Sequence, residues 1–284
     1  MTADAPGLPS TYRSTPTSVI DVEGTHFAYR ELGIRGGVPV VFLNHLTGVL
    51  DDWDLQVIDA IAEHHHVITF DNRGVGTSHG TTPARAEQMA HDAVDFIRAL
   101  GYDTVDLIGF SLGGGLAQII ALEHPGLVRR AVFAGTGPRG GYLIEKVPTL
   151  VFRTLAKAMI LRKDPRNWLF FTRTADGKRS ARQFLARLQE RTEGRGEPIS
   201  LSSLLAQLRA IRRWGLQEPD DLSRLDLPVL VSNGIDDVMV PTTNSLDMAR
   251  RIPGAQLQLF PDAGHGGIFQ YHQEFSARVL DFLA

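Results

Sequence analysis

A serine held between two glycines is the first residue in this chain whose setting could support chemistry. Ser111 lies in residues 105–115, where an apolar run ends at Gly109 and helix-forming residues resume at Leu112. The spacing Gly-x-Ser-x-Gly at a strand-to-helix turn is a nucleophile elbow, which holds the serine hydroxyl out at the end of the strand. The free N–H groups of the following helix suit a developing anion. The segment therefore predicts a nucleophilic serine.

The serine needs a base, and the base needs a carboxylate that orients it, because an alcohol is a weak nucleophile at neutral pH. His265 lies in a glycine-bearing stretch directly after the last predicted strand, and Asp237 follows the strand before it. Serine, then aspartate, then histidine is the order expected of a fold built around this elbow. Because the carboxyl ends of parallel strands meet at one edge of a sheet, we expect the three side chains to converge.

The elements that must position these residues alternate between strands and helices. This alternation predicts an α/β fold, with a mostly parallel, twisted sheet of about eight strands and helices on both faces. An opening hairpin is predicted from alternating residues on either side of a short turn. The predicted strands are 19–22, 26–32, 38–43, 66–71, 105–109, 131–134, 229–232 and 256–260, and the predicted helices are 53–64, 84–100, 112–123, 242–251 and 268–283.

The alternation stops between residues 138 and 226, where four helices are predicted, at about 142–161, 165–172, 178–192 and 200–215. This segment carries 18 Lys and Arg against 10 Asp and Glu, a net charge of about +8, whereas the rest of the chain carries about −11. We interpret it as a basic lid resting on an acidic body. The predicted domains are a core of residues 19–137 and 227–284, a helical cap of residues 138–226 and a loosely ordered lead of residues 1–18.

Four motifs together resemble the α/β-hydrolase fold family, in its capped serine-hydrolase form. They are Gly-Phe-Ser-Leu-Gly at 109–113, Gly-Ile-Asp-Asp-Val-Met-Val-Pro at 234–241, Gly-His at 264–265 and Asp-Asn-Arg-Gly-Val-Gly-Thr-Ser at 71–78. The resemblance covers nearly all of the chain after the lead. It implies the α/β-hydrolase fold, and it selects Asp237 over Asp236, because the family acid stands four residues before the proline of the second motif. We interpret Asp236 as a turn-capping carboxylate.

The resemblance also implies an oxyanion hole made of two backbone N–H groups. Leu112, which follows the nucleophile, should supply one, and alignment of the loop at residues 43–48 makes Leu46 the second donor. That loop places His45 where the family usually has glycine, so its ring either contacts the substrate or packs and hydrogen-bonds locally. The loop at 71–78 is interpreted as a structural turn in which Asp71 and Arg73 form a buried bonded pair.

Further substrate contacts are expected from residues near the elbow, near the acid and in the cap. We name His45, Phe110, Met239, Trp168 and Phe171 as candidates. The apolar and aromatic cap residues should mostly be core between cap and body, and some should line an apolar pocket over Ser111.

Composition limits the possible partners. The net charge of −3 gives no support for nucleic-acid binding, and the chain has no cysteine that could form disulfides or bind metals as thiolate. Residues 64–66 are three histidines in a row, but adjacent residues do not easily face one ion, so we predict no metal and no other cofactor. Without an apolar leader or a spanning segment, we expect a cytoplasmic protein with no membrane partner. A homodimer is left open.

These patterns predict a serine hydrolase that cleaves an ester or lactone of a small to medium apolar acid. Serine at the elbow argues against the aspartate-dependent dehalogenases and epoxide hydrolases of the same fold. Two alternatives stay open. One is a perhydrolase of the non-haem haloperoxidase kind, which would use the same three residues, and the other is a non-catalytic ligand receptor on the same fold.

Overall fold

The computed structural model describes residues 11–284 and shows one eight-stranded sheet. The strands are β1 (Ser18–Val22), β2 (Thr25–Gly33), β3 (Val40–Leu43), β4 (His66–Phe70), β5 (Val105–Phe110), β6 (Val128–Ala134), β7 (Val229–Gly234) and β8 (Gln256–Phe260). They lie in the order β1-β2-β4-β3-β5-β6-β7-β8; β1 and β2 are antiparallel to their neighbours, and the other pairs are parallel. The predicted α/β fold is therefore confirmed.

Helices cover both faces of this sheet, which explains why β3, β4, β5 and β7 are buried along their whole length. The helices of the body are α1 (Leu55–Ala62), α2 (Ala86–Ala99), α3 (Leu112–Glu123), α8 (Thr243–Arg251), α9 (Gly267–Gln270) and α10 (His272–Leu283). The last two were predicted as one helix. They are separate because the backbone of Tyr271 leaves the helical region, at φ −109° and ψ 41°.

Between β6 and β7 the chain forms four helices, as the sequence predicts, and we call residues 138–226 the helical insertion. Its helices are α4 (Val147–Leu161), α5 (Arg166–Leu169), α6 (Ala175–Arg187) and α7 (Leu201–Leu216). Helix α6 starts earlier than expected, because the Thr174 side chain accepts a hydrogen bond from Gly177 N–H and caps the helix there. In the described part of the chain no helix combines the length and the apolar character needed to cross a bilayer.

Three aspartates between β3 and α1 hold the helical insertion through its arginines; we call Asp51, Asp52 and Asp54 the aspartate row. Asp52 Oδ1 accepts from Arg166 Nη1 at 2.6 Å, and Asp54 binds the Arg187 guanidinium through both oxygens, at 2.5 and 2.8 Å. Asp51 lies between Arg30 of β2, at 2.8 Å, and Arg191 of the insertion, at 3.6 Å. The basic segment thus rests on acidic residues of the body.

The N-terminal lead differs from the loose segment that we expected, as far as the structure describes it. Tyr12 is buried, its hydroxyl donates to Leu50 O at 2.7 Å, and it lies 2.9 Å from the Thr69 hydroxyl. Arg191 of the helical insertion donates to Thr15 O at 2.8 Å. Tyr12 and Thr15 therefore anchor this segment against the body and the insertion, although most of its other residues are exposed, while residues 1–10 lie outside the described part.

The predicted pair between Asp71 and Arg73 is wrong. Asp71 is fully buried and accepts instead from the backbone N–H groups of Leu50, at 2.7 Å, and Thr77, at 3.1 Å. Arg73 turns the other way and pairs with Asp92 of α2 at 2.9 Å. Burial raises the pKa of Asp71 to about 7, against the lowering effect of these N–H groups.

Candidate active site

Ser111 lies in a strained turn between β5 and α3. Its φ of 57° and ψ of −115° are outside the regions that most residues adopt. Two glycines make the turn sterically possible: a Cβ on Gly109 would lie 2.3 Å from Gly113 O, and one on Gly113 would lie 2.0 Å from Leu43 O. Strain held in place in this way is typical of functional positions.

The structure brings Ser111, His265 and Asp237 together. His265 Nε2 lies 2.8 Å from Ser111 Oγ, and His265 Nδ1 lies 2.7 Å from Asp237 Oδ2. All three residues are buried, with at most 8% of their surface exposed. Each follows a different strand, Ser111 after β5, Asp237 after β7 and His265 after β8, and they meet at the carboxyl edge of the sheet.

Backbone groups fix the Asp237 carboxylate. Its Oδ1 accepts from the N–H groups of Met239, at 2.7 Å, and Val240, at 3.0 Å, which leaves Oδ2 for the imidazole. Because a carboxylate accepts only, we assign the proton of His265 to Nδ1, so that Nε2 can accept from the serine hydroxyl. Neighbouring Asp236 is exposed and forms no hydrogen bond or ion pair with His265. The arrangement can move a proton from the serine hydroxyl to the imidazole.

The loop that carries Leu46 is held in a tight turn. His45 O accepts from Gly48 N–H at 2.9 Å, and Thr47 has a left-handed backbone, with φ 67°. The side chain of Gln207, fully buried on α7, accepts from Thr47 N–H at 2.8 Å. An insertion residue therefore helps to hold the loop in shape. The backbone N–H groups of Leu46 and Leu112 have no hydrogen-bond acceptor among residues 11–284, so both are free to bind an incoming oxygen.

His45 is buried beside this loop and lines the larger of two cavities described below. Its Nδ1 lies 2.7 Å from Leu46 O, and since a carbonyl only accepts, Nδ1 carries the proton. Its Nε2 has no partner within the described chain. Burial lowers the pKa of His45 to about 4, so the ring is neutral at physiological pH. The ring also packs edge-on against Phe110 and Phe170, with centroids 5.3 and 5.4 Å away.

Two cavities meet at Ser111. One, of about 30 Å³, is mainly apolar and lies between the elbow and the helical insertion; the other, of about 520 Å³, extends between the insertion and the aspartate row. Leu46, Ser111 and Met239 line both. The small cavity is also lined by Leu112, Gly115, Ile144, Val147, Ile211 and Trp214, and the larger one by His45, Val151, Leu155, Leu169, Phe170 and His265.

The larger cavity also contains charged residues that the sequence analysis did not single out. Arg166 lines it together with Asp52 and Asp164, and the guanidinium binds both carboxylates, at 2.6 Å and 2.7 Å. The single guanidinium is shared by the two carboxylates, so this group of three residues gives the wall of the cavity polar character and a net negative charge. A signal for them was present in the run Asp51-Asp-Trp-Asp54, shortly after the loop at residues 43–48, together with the basic character of the insertion.

Three of the predicted substrate contacts do not line either cavity, whereas Met239 and His45 do. Phe110 lies beneath the site, with its ring centroid 5.0 Å from that of His265. Trp168 packs under the Lys157 ammonium, 4.6 Å from its ring centroid. Phe171 is buried against Phe184. Phe170 is the aromatic residue of this segment that reaches the cavity.

Within residues 11–284, the side chains grouped closely enough to share a metal ion are His91, in the middle of α2, and Glu123 and His124, at the end of α3. None of the three lines either of the cavities at Ser111. This group is therefore separate from the site at Ser111, and the absence of a metal from the chemistry at Ser111 stays a prediction.

The sequence profile of the alpha/beta hydrolase fold matches residues 38–270. The chain belongs to this family. An alpha/beta hydrolase fold protein from Chitinophaga pinensis, 35% identical, superposes on the chain with a TM-score of 0.92, over 96% of this chain and 98% of that one. The family assignment agrees with the strand order and with the strained serine turn.

Among curated relatives, the chain is 27% identical to a "Putative carbamate hydrolase RutD" of Agrobacterium fabrum, over 86% of this chain and 93% of the relative. It is also 27% identical to a "Non-heme haloperoxidase" of Rhodococcus erythropolis, over 92% of this chain and 97% of the relative. The alignments span nearly the full length of the relatives. The family members that resemble this α/β hydrolase thus differ in the chemistry their names state.

Proposed function

We propose that the protein is a serine hydrolase that cleaves a carboxylic ester or lactone through an acyl-enzyme on Ser111. The observation that carries the proposal is the continuous chain of hydrogen bonds from Ser111 Oγ through His265 to Asp237, with heavy-atom distances of 2.8 and 2.7 Å. Such a chain activates a serine hydroxyl at neutral pH.

The mechanism follows from this geometry. Ser111 Oγ attacks the carbonyl carbon while His265 Nε2 takes the hydroxyl proton, and the carbonyl oxygen becomes an oxyanion that the N–H groups of Leu46 and Leu112 stabilise. The tetrahedral intermediate then expels the alcohol, which receives the proton from His265. Water attacks the acyl-enzyme with His265 again as base, and the carboxylic acid leaves with the serine restored. Asp237 keeps the imidazole oriented and stabilises its positive charge.

The cavities support a substrate with one small apolar group. The cavity of about 30 Å³ beside the elbow has room for a small group only, whereas the cavity of about 520 Å³ accepts a larger one with apolar and polar parts. We infer that the helical insertion acts as a cap over both cavities. A cysteine-free chain fits a reducing compartment, and we keep the cytoplasm as the proposed location.

The test is turnover of p-nitrophenyl esters with acyl chains of two to eight carbons, with a p-nitrophenyl carbamate as an additional substrate. Ser111→Ala should lower kcat by about 10⁴-fold or more. Ser276→Ala is the matched control, because Ser276 is equally buried but lies on α10, outside the cavities. Equal turnover by wild type and Ser111→Ala would exclude the proposal. A fluorophosphonate probe that fails to label Ser111 would instead favour a non-catalytic receptor.

A second candidate activity is perhydrolysis, favoured by the motif Gly-Phe-Ser-Leu-Gly-Gly-Gly at 109–115 and by the haloperoxidase relative. Hydrogen peroxide would replace water in attacking the acyl-enzyme, giving a peracid and free Ser111. The peracid would then oxidise halide outside the site. Halogenation of monochlorodimedone in the presence of peroxide and acetate, set against ester turnover by the same preparation, separates the two activities.

A further inference from the structure

The outward face of α4 exposes large apolar side chains. Phe152, Met159, Ile160 and Leu161 are 47%, 78%, 81% and 50% exposed. With 3.6 residues per turn, positions 152, 159 and 160 lie on the outer side of the helix. Val151 and Ala158 on the opposite side are buried. Scattered exposed apolar residues are normal, but a group of them on one helix indicates a surface that binds a membrane or another molecule.

Exposed cations lie on α4 and directly after its end. Arg153, Lys157, Arg162 and Lys163 are all exposed, and the sequence has no Asp or Glu from 146 to 163. Arg153, Arg162 and Lys163 form no ion pair with any residue of the range 11–284. We call these four cations, together with Phe152, Met159, Ile160 and Leu161, the α4 patch. Four positive charges therefore surround the apolar side chains without local compensation.

This combination matches one occupant better than any other. Helices that lie in the bilayer interface bury one apolar face between acyl chains and place Lys and Arg against anionic headgroups. A second copy of the same face would bring four cations against four cations, because a twofold contact sets the same patch on both subunits. We propose that the α4 patch docks the protein on the surface of an anionic lipid bilayer. This differs from our expectation, from the sequence, of no membrane partner.

Docking would place the roof of the larger cavity against lipid. Val151 and Leu155 on the inner side of α4 line that cavity, while the α4 patch occupies the outer side of the same helix. A single layer of helix thus separates the substrate cavity from the proposed membrane surface. The docking proposal does not depend on ester hydrolysis, since binding to vesicles is measured without turnover.

The experiment is co-sedimentation of the full chain with vesicles of phosphatidylcholine alone and of phosphatidylcholine with 30% phosphatidylglycerol. Wild type should sediment with the anionic vesicles and much less with the neutral ones. Because each cation near an anionic surface contributes about fivefold in affinity, Arg153→Glu with Lys157→Glu should reduce binding at least about 25-fold. Met159→Ser with Ile160→Ser should reduce it by about tenfold or more.

The matched controls are two double variants. Lys178→Glu with Arg182→Glu reverses two exposed charges with the same spacing on α6, and Val19→Ser with Ile34→Ser removes exposed apolar side chains from β1 and from the residue that follows β2. They should bind vesicles like wild type. Circular dichroism and thermal melts of every variant verify folding without relying on ester turnover. Wild type that stays in the supernatant, or patch variants that bind unchanged, would overturn the proposal. The proposal would also be overturned if sedimentation velocity showed a dimer that the patch variants convert to a monomer, because a second copy of the chain would then cover the α4 patch.

Discussion

The hydrogen bond from Thr47 N–H to Gln207 predicts that a residue of the helical insertion affects catalysis without touching the substrate. Thr47 holds a left-handed backbone, which costs about 1–3 kcal/mol for a residue other than glycine and persists only where neighbouring groups enforce it. Gln207 enforces it with a bond of 2.8 Å, one residue from the proposed oxyanion donor Leu46. We therefore expect Gln207→Met, which keeps the volume but removes the acceptor, to loosen this loop.

The magnitude follows from two terms. A buried N–H left without a partner costs about 1–3 kcal/mol, so the free energy of unfolding should fall by roughly that amount unless the loop relaxes. If the loop relaxes and Leu46 N–H moves, the oxyanion loses part of its stabilisation, and complete loss of one donor lowers kcat by about 10²–10³-fold. A partial displacement should lower kcat by about tenfold and leave KM nearly unchanged, because the donor acts mainly on the transition state.

The assay is steady-state and burst kinetics with p-nitrophenyl butyrate, together with urea unfolding. Gln217→Met is the matched control, since Gln217 also links the insertion to the body, through a 2.9 Å bond to Glu87, without contacting the loop at residues 45–48. That variant should keep its kcat. A Gln207→Met enzyme that loses stability but retains kcat within twofold would refute the idea that Gln207 positions the oxyanion loop.

Three further predictions concern the elbow, the acid and the buried loop. Gly113→Ala should prevent folding or reduce stability by several kcal/mol, because its Cβ would lie 2.0 Å from Leu43 O. Gly115→Ala should fold, because the atom nearest to its Cβ would be 3.7 Å away, but it should slow the turnover of substrates that need the small cavity. Thermal melts test the stability of both variants, and turnover of esters with different acyl chains tests the cavity. Asp237→Asn should lower kcat by about 10⁴-fold with little change in fold, and an unchanged kcat would remove Asp237 from the mechanism. Burial raises the pKa of Asp71 to about 7, so the folded protein keeps this proton at pH values where the unfolded chain has lost it. The contribution of Asp71 to stability is therefore full below about pH 4 and is lost as the pH rises through 7. Urea unfolding between pH 4 and 8 should therefore show that wild type loses stability relative to Asp71→Asn as the pH rises, and a constant difference would contradict the raised pKa.

The sheet and the three residues at its carboxyl edge could be predicted from the sequence. Ser111, Asp237 and His265 each lie within five residues of the end of a strand, and the carboxyl ends of parallel strands must meet, so chain order alone brings them to one edge. Strand runs buried on both faces are also the clearest signal in a sequence, which explains why the predicted strands agree closely with the structure.

Residues whose partners are far away along the chain could not be placed in this way. Arg73 pairs with Asp92, and nothing in the local pattern of the loop indicates that partner rather than Asp71. Tyr12 is buried by contacts with Leu50 and Thr69, which come close only in the fold. A polar stretch before the first strand therefore gave no sign that it would be packed.

The choice among the aromatic residues of the insertion failed for a different reason. Helix α5 has only four residues, so its sequence has no periodicity from which an inner and an outer face can be distinguished. Phe170 comes directly after α5 and faces the cavity, whereas Trp168 lies within α5 and faces Lys157. The side facing the substrate is set by how the insertion sits on the body.

The aspartate row limits how this enzyme can be rebuilt by exchanging parts. A chimera that received a relative's insertion without arginines at the positions of Arg166, Arg187 and Arg191 would leave carboxylates at Asp52 and Asp54 without their counter-ions, and Asp51 with Arg30 alone. A fully buried carboxylate stripped of its partner, as at Asp54, costs about 3–5 kcal/mol, which is a large part of the stability of a typical domain, whereas the partly exposed Asp52 should cost less. A transplanted helical insertion should therefore give a stable chimera only when the aspartate row of the recipient is neutralised at the same time. The helical insertion and the aspartate row are thus expected to change together.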